Sequence, residues 1–279
     1  MLEVLLASTI GLFVLTGICC TASIISDKPA FYHLSRVFFA LAAVSSIWLG
    51  ITRMRSVSFA GLHTLTSSIW GYFYILSVIL LIIAVYLYFS KWNRQWKSFM
   101  ALVSPFNAII LLISIPFIDS ARKFATETNT ALLPAHIALS VLGEVLFFFS
   151  FAGSVLYLIM EGNLKSKRFM NITERLPNLE SIEKFNRWVI SRSLLLLSLG
   201  IILGLTMVEL SFHRLFLGTA KEAHILSSWV VIVFMFLIRK KAGISAHRIS
   251  IINIMAFIFV MFLFIFTNIY ISKGFHSFQ

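Results

Sequence analysis

Two histidines carry the chemistry worth following in this chain. His136 opens an apolar run in Leu133-Pro134-Ala135-His136, and His276 lies just beyond the last apolar run in Lys273-Gly274-Phe275-His276-Ser277-Phe278. Neutral imidazole is a common axial ligand of haem iron, and two of them from different helices hold the iron without leaving an open coordination position. A bis-histidine site of that kind carries or exchanges haem rather than activating oxygen. Whether these two imidazoles can serve one site depends on the elements that carry them.

Composition fixes the class of those elements. Hydrophobic residues make up 59% of the chain, aromatic residues 15% and charged residues only 12%, with a mean hydropathy of +0.94. Such a balance excludes an ordinary soluble domain and indicates a membrane protein. About 20 apolar residues cross a hydrocarbon core of about 30 Å as a helix. Apolar stretches of that order occur near 4–25, 31–51, 68–90, 99–117, 134–160, 188–210, 223–240 and 249–271. The expected fold is therefore all-α and polytopic, with about eight transmembrane helices. Residues 1–60 supply the N-terminal transmembrane helices and residues 61–279 the remaining transmembrane domain. The first stretch has no basic leader and no clear small-residue cleavage site, so it is expected to remain as a helix.

Charge sets the orientation. The net charge of +12 does not imply nucleic acid in such a chain; the useful question is on which side of the bilayer the basic residues fall. With the N-terminus outside, 16 of the 23 basic residues lie at inward loops and helix ends, and the other seven are Arg53, Arg55, Arg122, Lys123, Arg214, Lys221 and Lys273. Both termini are thus expected outside. The clusters Lys91 to Lys97 and Arg239-Lys240-Lys241 read as topological anchors rather than sites of lipid-specific recognition. The same topology brings His136, His276 and the loop from Glu209 to Glu222, with His213 and Arg214, to the outer face.

Other polar residues have blander readings. His33, His224 and His247 are expected to be interfacial polar side chains, and His213 serves either a haem edge or a solvated loop. Glu144 lies eight residues beyond His136, about 80° around the helix and some 12 Å deeper, so it does not sit directly beneath the histidine. A protonated Glu144 hydrogen-bonded inside the bundle is the plainer reading, and a proton relay or contact with a haem propionate the sharper one. Glu209 and Arg214 form a candidate rim pair. Cys19 and Cys20 are adjacent on one helix, point about 100° apart and read as packing residues. No Cys-x-x-Cys, Walker loop, His-Glu-x-x-His or dinucleotide fingerprint occurs, and no catalytic motif points to an enzyme.

The inner connection 161–187 contains Leu179, Ile182 and Phe185 at i, i+3, i+6, with Pro177 in the first turn. It predicts a short amphipathic helix on the cytoplasmic surface, as a belt under spans five and six or a docking surface for a cytoplasmic partner.

A series of elements then carries a family resemblance: Pro134-Ala135-His136, Tyr157-Leu158-Ile159-Met160, Leu164-Lys165-Ser166-Lys167, Leu176-Pro177-Asn178-Leu179-Glu180, Gly200-Ile201-Ile202-Leu203-Gly204 and Gly274-Phe275-His276-Ser277-Phe278. In this order they resemble the cytochrome c assembly family over roughly residues 60 to 279, and the CcsA-, ResC- and HemX-like members most. The resemblance implies that His136 and His276 are haem ligands. The family's tryptophan-rich outer segment, Trp-Gly-x-Tyr-Trp-x-Trp-Asp-Pro-Lys-Glu, corresponds here to Ser211 through Glu222. Lys221, Glu222 and the later Trp229 are kept, Phe212, Phe216 and Gly218 stand for indoles, and Thr219 replaces the acid. Aromatic faces remain for a porphyrin, while the indole donors and the carboxylate are gone. Members with a transmembrane haem site place a histidine shortly before Arg239, where this chain has Leu237; its partner there would be His63.

The resulting expectation is a multi-pass protein of the bacterial inner (cytoplasmic) membrane that binds haem b on its outer face during c-type cytochrome assembly. His136 and His276 are the iron ligands, His63 and His213 further candidates, Phe216 part of a cover, and Arg214 or Lys221 a propionate contact. The expected partners are haem, the lipid bilayer, a second membrane protein of cytochrome assembly and apocytochrome c, with no nucleic acid. Two other readings stay open: a HemX-like regulator of tetrapyrrole synthesis acting through the inner connection, and a small-molecule transporter using Glu144.

Overall fold

The computed structural model describes residues 2–26, 28–56, 69–89, 93–115, 132–166, 177–216, 218, 220–240 and 243–266. Among these residues all extended regular structure is helical. The helices are α1 (Leu2–Ser26), α2 (Pro29–Ser56), α3 (Ile69–Phe89), α4 (Asn93–Ser114), α5 (Leu132–Ser166), α6 (Leu179–Phe212), α7 (Ala220–Lys240) and α8 (Ala246–Phe266). They correspond one to one with the eight apolar stretches of the sequence. Helix is the form that satisfies every backbone amide within its own segment, which hydrocarbon demands. Six of these helices are long and apolar enough to cross a membrane, while α3 and α4 contribute the shorter apolar runs Phe73–Phe89 and Ser98–Ser114. The protein is thus an all-α, multi-pass membrane protein.

Two helices run longer than the sequence suggests. Helix α5 has 35 residues and α6 has 34; at about 1.5 Å per residue each spans about 50 Å, well beyond the hydrocarbon core. The short surface helix expected near 176–185 does not form a separate element: from Leu179 onward it is the first part of α6. Pro177 and Asn178 precede the helix, and nothing after them breaks it. The ion pair Lys184–Glu180 at 2.7 Å and the pair Arg187–Glu183 brace successive turns at i, i+4. Its apolar stripe also differs from a surface belt, for Ile182 and Phe185 are each only 1% exposed.

The chain divides into two compact units, residues 1–124 with 160–178, and residues 125–159 with 179–279. In the first unit α1 packs against α2 and α4, and α3 against α4. Small and hydroxyl residues face inward along α1: Thr9, Thr16 and Ser23 recur every seventh residue and are buried. Thr9 and Thr16 return their hydroxyls to Leu5 O and Leu12 O, at 2.7 and 2.8 Å, so little polarity is left unmatched. Cys19 and Cys20 are buried and not joined in a disulfide, consistent with packing residues. Large apolar side chains such as Ile18, Ile47 and Trp48 point outward. Leu6 and Phe13 of the same helix are buried with the hydroxyl residues, and the small residues let the helices close on each other. α1 comes close to α4 where Gly17 lies over the ring of Pro105.

In the second unit α5 and α6 form an antiparallel seam. Along it Gly204 meets His136, Gly200 meets Ser140, Gly143 meets Leu197 and Gly153 meets Asn186. Gly200 and Gly204 make a Gly-x-x-x-Gly ridge, the spacing that lets two membrane helices approach backbone to backbone. Deeper in the unit, Asn253 of α8 donates from Nδ2 to Ser150 Oγ at 3.0 Å and Ser154 Oγ at 2.9 Å. Phe151 and Phe257 stack beside them with centroids 4.5 Å apart. Trp229 of α7 donates to Ser198 Oγ of α6 at 2.8 Å.

Candidate functional site

His136 lies in the second turn of α5, and the α5–α6 seam determines how its ring is held. Nδ1 stands 2.7 Å from Gly200 O. A carbonyl can only accept, so Nδ1 carries a proton and donates, and in the neutral ring Nε2 is then the nitrogen with the lone pair. Gly204, one turn further along α6, provides the room: a Cβ there would lie 2.6 Å from His136 Cε1 and 2.8 Å from Nδ1. The ridge therefore fixes both tautomer and ring plane. A backbone carbonyl on one imidazole nitrogen is the usual support for a histidine whose other nitrogen binds a metal. The ring is only half buried, so it is not sealed inside the seam.

The other sequence candidates are distributed differently. His276 and His63 lie outside the described residues, as does the side chain of Lys221 in the first turn of α7. His213, Arg214 and Phe216 lie on the connection between α6 and α7, and all are exposed. His213 ends α6 with a positive φ of 51°, and its N–H donates to Glu209 O at 2.9 Å. A left-handed residue closing the last turn in this way is a common helix stop, and histidine tolerates the conformation better than most side chains. Among the described residues no hydrogen bond, ion pair or ring contact joins these three to His136. Glu209 is likewise exposed, and the rim pair with Arg214 is not formed. Leu237 is 57% exposed, on the outward side of α7.

One pairing departs from the sequence reading. His224, expected at an interface, is 6% exposed and approaches Glu144 with Nε2 3.4 Å from Oε1. The approach lacks the alignment of a hydrogen bond, so it is a close acid–imidazole contact rather than a directed bond. Phe264 of α8 packs beside the imidazole, centroids 5.3 Å apart. A signal was available in the sequence: His224, Ser228, Ile232 and Met235 follow i, i+4, i+8, i+11, and all four are buried. The histidine heads the core stripe of α7. His33 and His247 are exposed, as their interfacial reading requires. Among the described residues no group of three His, Cys, Asp or Glu side chains could hold a metal ion.

Comparison with known proteins gives the arrangement a context. No curated protein matches the chain. Among solved structures the cytochrome c heme lyase CcmF is similar in fold, with a TM-score of 0.65 at 12% identity, over 94% of this chain and 46% of CcmF. The chain thus spans about half the length of that protein. Residues 66–276 match the cytochrome C assembly protein family, a stretch that includes α3 through α8. With well over half of its length matched, the chain belongs to the cytochrome c assembly protein family.

Proposed function

We propose that this protein binds haem b on the outer face of the bacterial inner membrane and passes it on during c-type cytochrome assembly. The observation that carries the reading is the contact of His136 Nδ1 with Gly200 O at 2.7 Å, because in the neutral ring it directs the lone pair to Nε2, and the ring is only half buried. The donor chemistry fits: neutral imidazole is what haem iron takes. Haem would supply an iron that takes imidazole nitrogens as ligands.

The chain's own residues do the holding. His136 would contribute one ligand from a fixed tautomer, and His276 the second. Phe216, exposed on the α6–α7 connection, offers an aromatic face to the porphyrin. Arg214 or Lys221 meets a propionate, His213 lies at the edge, and His63 is a further ligand candidate. Apocytochrome c and a second membrane protein of the assembly pathway are the proposed partners. Family membership supports the assembly role, and the seam around His136 supports the ligand.

The test is direct. The full chain purified in mild detergent should show a bis-histidine haem spectrum, with the His136→Ala and His276→Ala variants each losing or altering it. A wild-type protein without haem, or variants with the wild-type spectrum, would overturn the site.

A further inference from the structure

One face of α6 combines charge and apolarity in a way that topological anchoring does not require. Lys184, Arg187, Trp188, Ser191, Arg192 and Leu195 follow i, i+3, i+4, i+7, i+8, i+11, a single helical stripe. Together with Leu194 and with Phe236 of α7 they line an open groove of about 590 Å³. The opposite side of the same turns is core, with Ile182, Phe185 and Val189 each 1% exposed.

The groove's chemistry changes along the helix axis. Cations occupy its first half, and α6 carries no charged residue from Leu194 to Val208. Arg192 therefore stands where the hydrocarbon begins, with Trp188 one turn before it at the level where indoles favour the interface. Lys184 and Arg187 are already matched by Glu180 and Glu183. Among the described residues Arg192 has no carboxylate within 4 Å, and it is exposed. On the α7 wall Lys240 Nζ lies 4.5 Å over the ring of Phe236, adding a further cation beside the apolar surface.

We infer that this groove binds an anionic phospholipid, its phosphate held by Arg192 and one acyl chain lying along Leu194, Leu195 and Phe236. Free phosphate would use the cations and leave the apolar half empty. An acidic protein segment would meet that same apolar half at the edge of the hydrocarbon, where lipid is the surrounding medium. Charge complementarity selects the headgroup, since a net anion gains from Arg192 and Lys240 what a zwitterion does not.

Native mass spectrometry of the full chain in detergent tests the site, with phosphatidylglycerol or phosphatidylethanolamine added at equal concentration. The expected result is preferential retention of phosphatidylglycerol, weakened about fivefold in Arg192→Gln and largely kept in Arg192→Lys, since a cation near a membrane surface is worth about 1 kcal/mol. Ser191→Glu, at an exposed position of the same stripe, should abolish the preference by placing an anion in the groove. It also decides the matter if Arg192→Gln does not fold. Equal retention of the two lipids, unchanged retention in folded Arg192→Gln or in Ser191→Glu, or displacement of the lipid by millimolar inorganic phosphate would each overturn the inference.

Discussion

The imidazole of His136 rests on Gly204, in space that any larger residue would fill: an added Cβ would lie 2.6 Å from Cε1. The consequence is that Gly204→Ala acts as a mutation of His136 without changing it. The ring must rotate away from the ridge and give up Gly200 O, or the two helices must part. Overpacking of this kind costs about 1–3 kcal/mol. We expect Gly204→Ala to lower the thermal midpoint in detergent and to reduce haem content together. In a His136→Ala background the same substitution should cost markedly less, because the clashing ring is gone. Equal costs in both backgrounds would show that His136 does not use this space.

Glu144 and His224 give a second prediction, independent of haem. Their 3.4 Å contact joins α5 to α7 inside the bundle, where each side chain is mostly shielded from water. Glu144→Gln and His224→Gln should each destabilise the protein by about 1–3 kcal/mol, the range for a buried polar group whose partner is altered. The double variant should cost less than the sum by about 1 kcal/mol, as residues in contact couple by that order. A double-mutant cycle on chemical denaturation in micelles reads the coupling, and strict additivity would mean that the two groups do not sense each other.

What the sequence conveyed depended on how local the cause was. The eight apolar runs were legible because hydrocarbon imposes helix on each run by itself. His136 stood out because it interrupts such a run near its start. The place of His224 was harder to read: its burial is made by Glu144, eighty residues earlier, and Phe264, forty later. Ile182 and Phe185 showed the right period, yet a period does not say whether the apolar stripe meets a membrane surface or a core. Gly200 and Gly204 belong to the series that resembles the family. Their role as the cradle of His136 appears only when α5 lies in register against them. For His63 and His276 the sequence alone speaks.

Asn253 supports a prediction about the interior of the second unit. It is fully buried and spends both amide hydrogens on Ser150 and Ser154, while Asn186 approaches the same Ser154 Oγ at 3.5 Å. Polar bonds between membrane helices average about 0.6 kcal/mol and reach about 1.7. Asn253→Ala should therefore cost about 1–2 kcal/mol, including the small cavity it leaves. Ser154→Ala, which touches two asparagines, should cost more than Ser150→Ala, which touches one. A denaturation series that reverses this order would remove Ser154 from the centre of the cluster.

The two glycines of α1 offer the sharpest contrast in the first unit. A Cβ at Gly17 would lie 2.7 Å from both Cδ and Cγ of Pro105, whereas one at Gly11 would meet nothing within 4 Å. Pro105 sits inside α4 and its ring is tied to the backbone at both ends, so it cannot swing aside as a flexible side chain would. Gly17→Ala must then push α1 off α4, at a cost of about 1–3 kcal/mol. Gly11→Ala adds a better helix former in open space and should be neutral or stabilising by up to about 1 kcal/mol. Replacing Pro105 by Ala should lower the cost of Gly17→Ala, since the obstructing ring is removed while the helices remain. Thermal shift of the four variants in one detergent decides it: if both glycines respond alike, the effect belongs to helix propensity, and the close approach of α1 to α4 has no energetic weight.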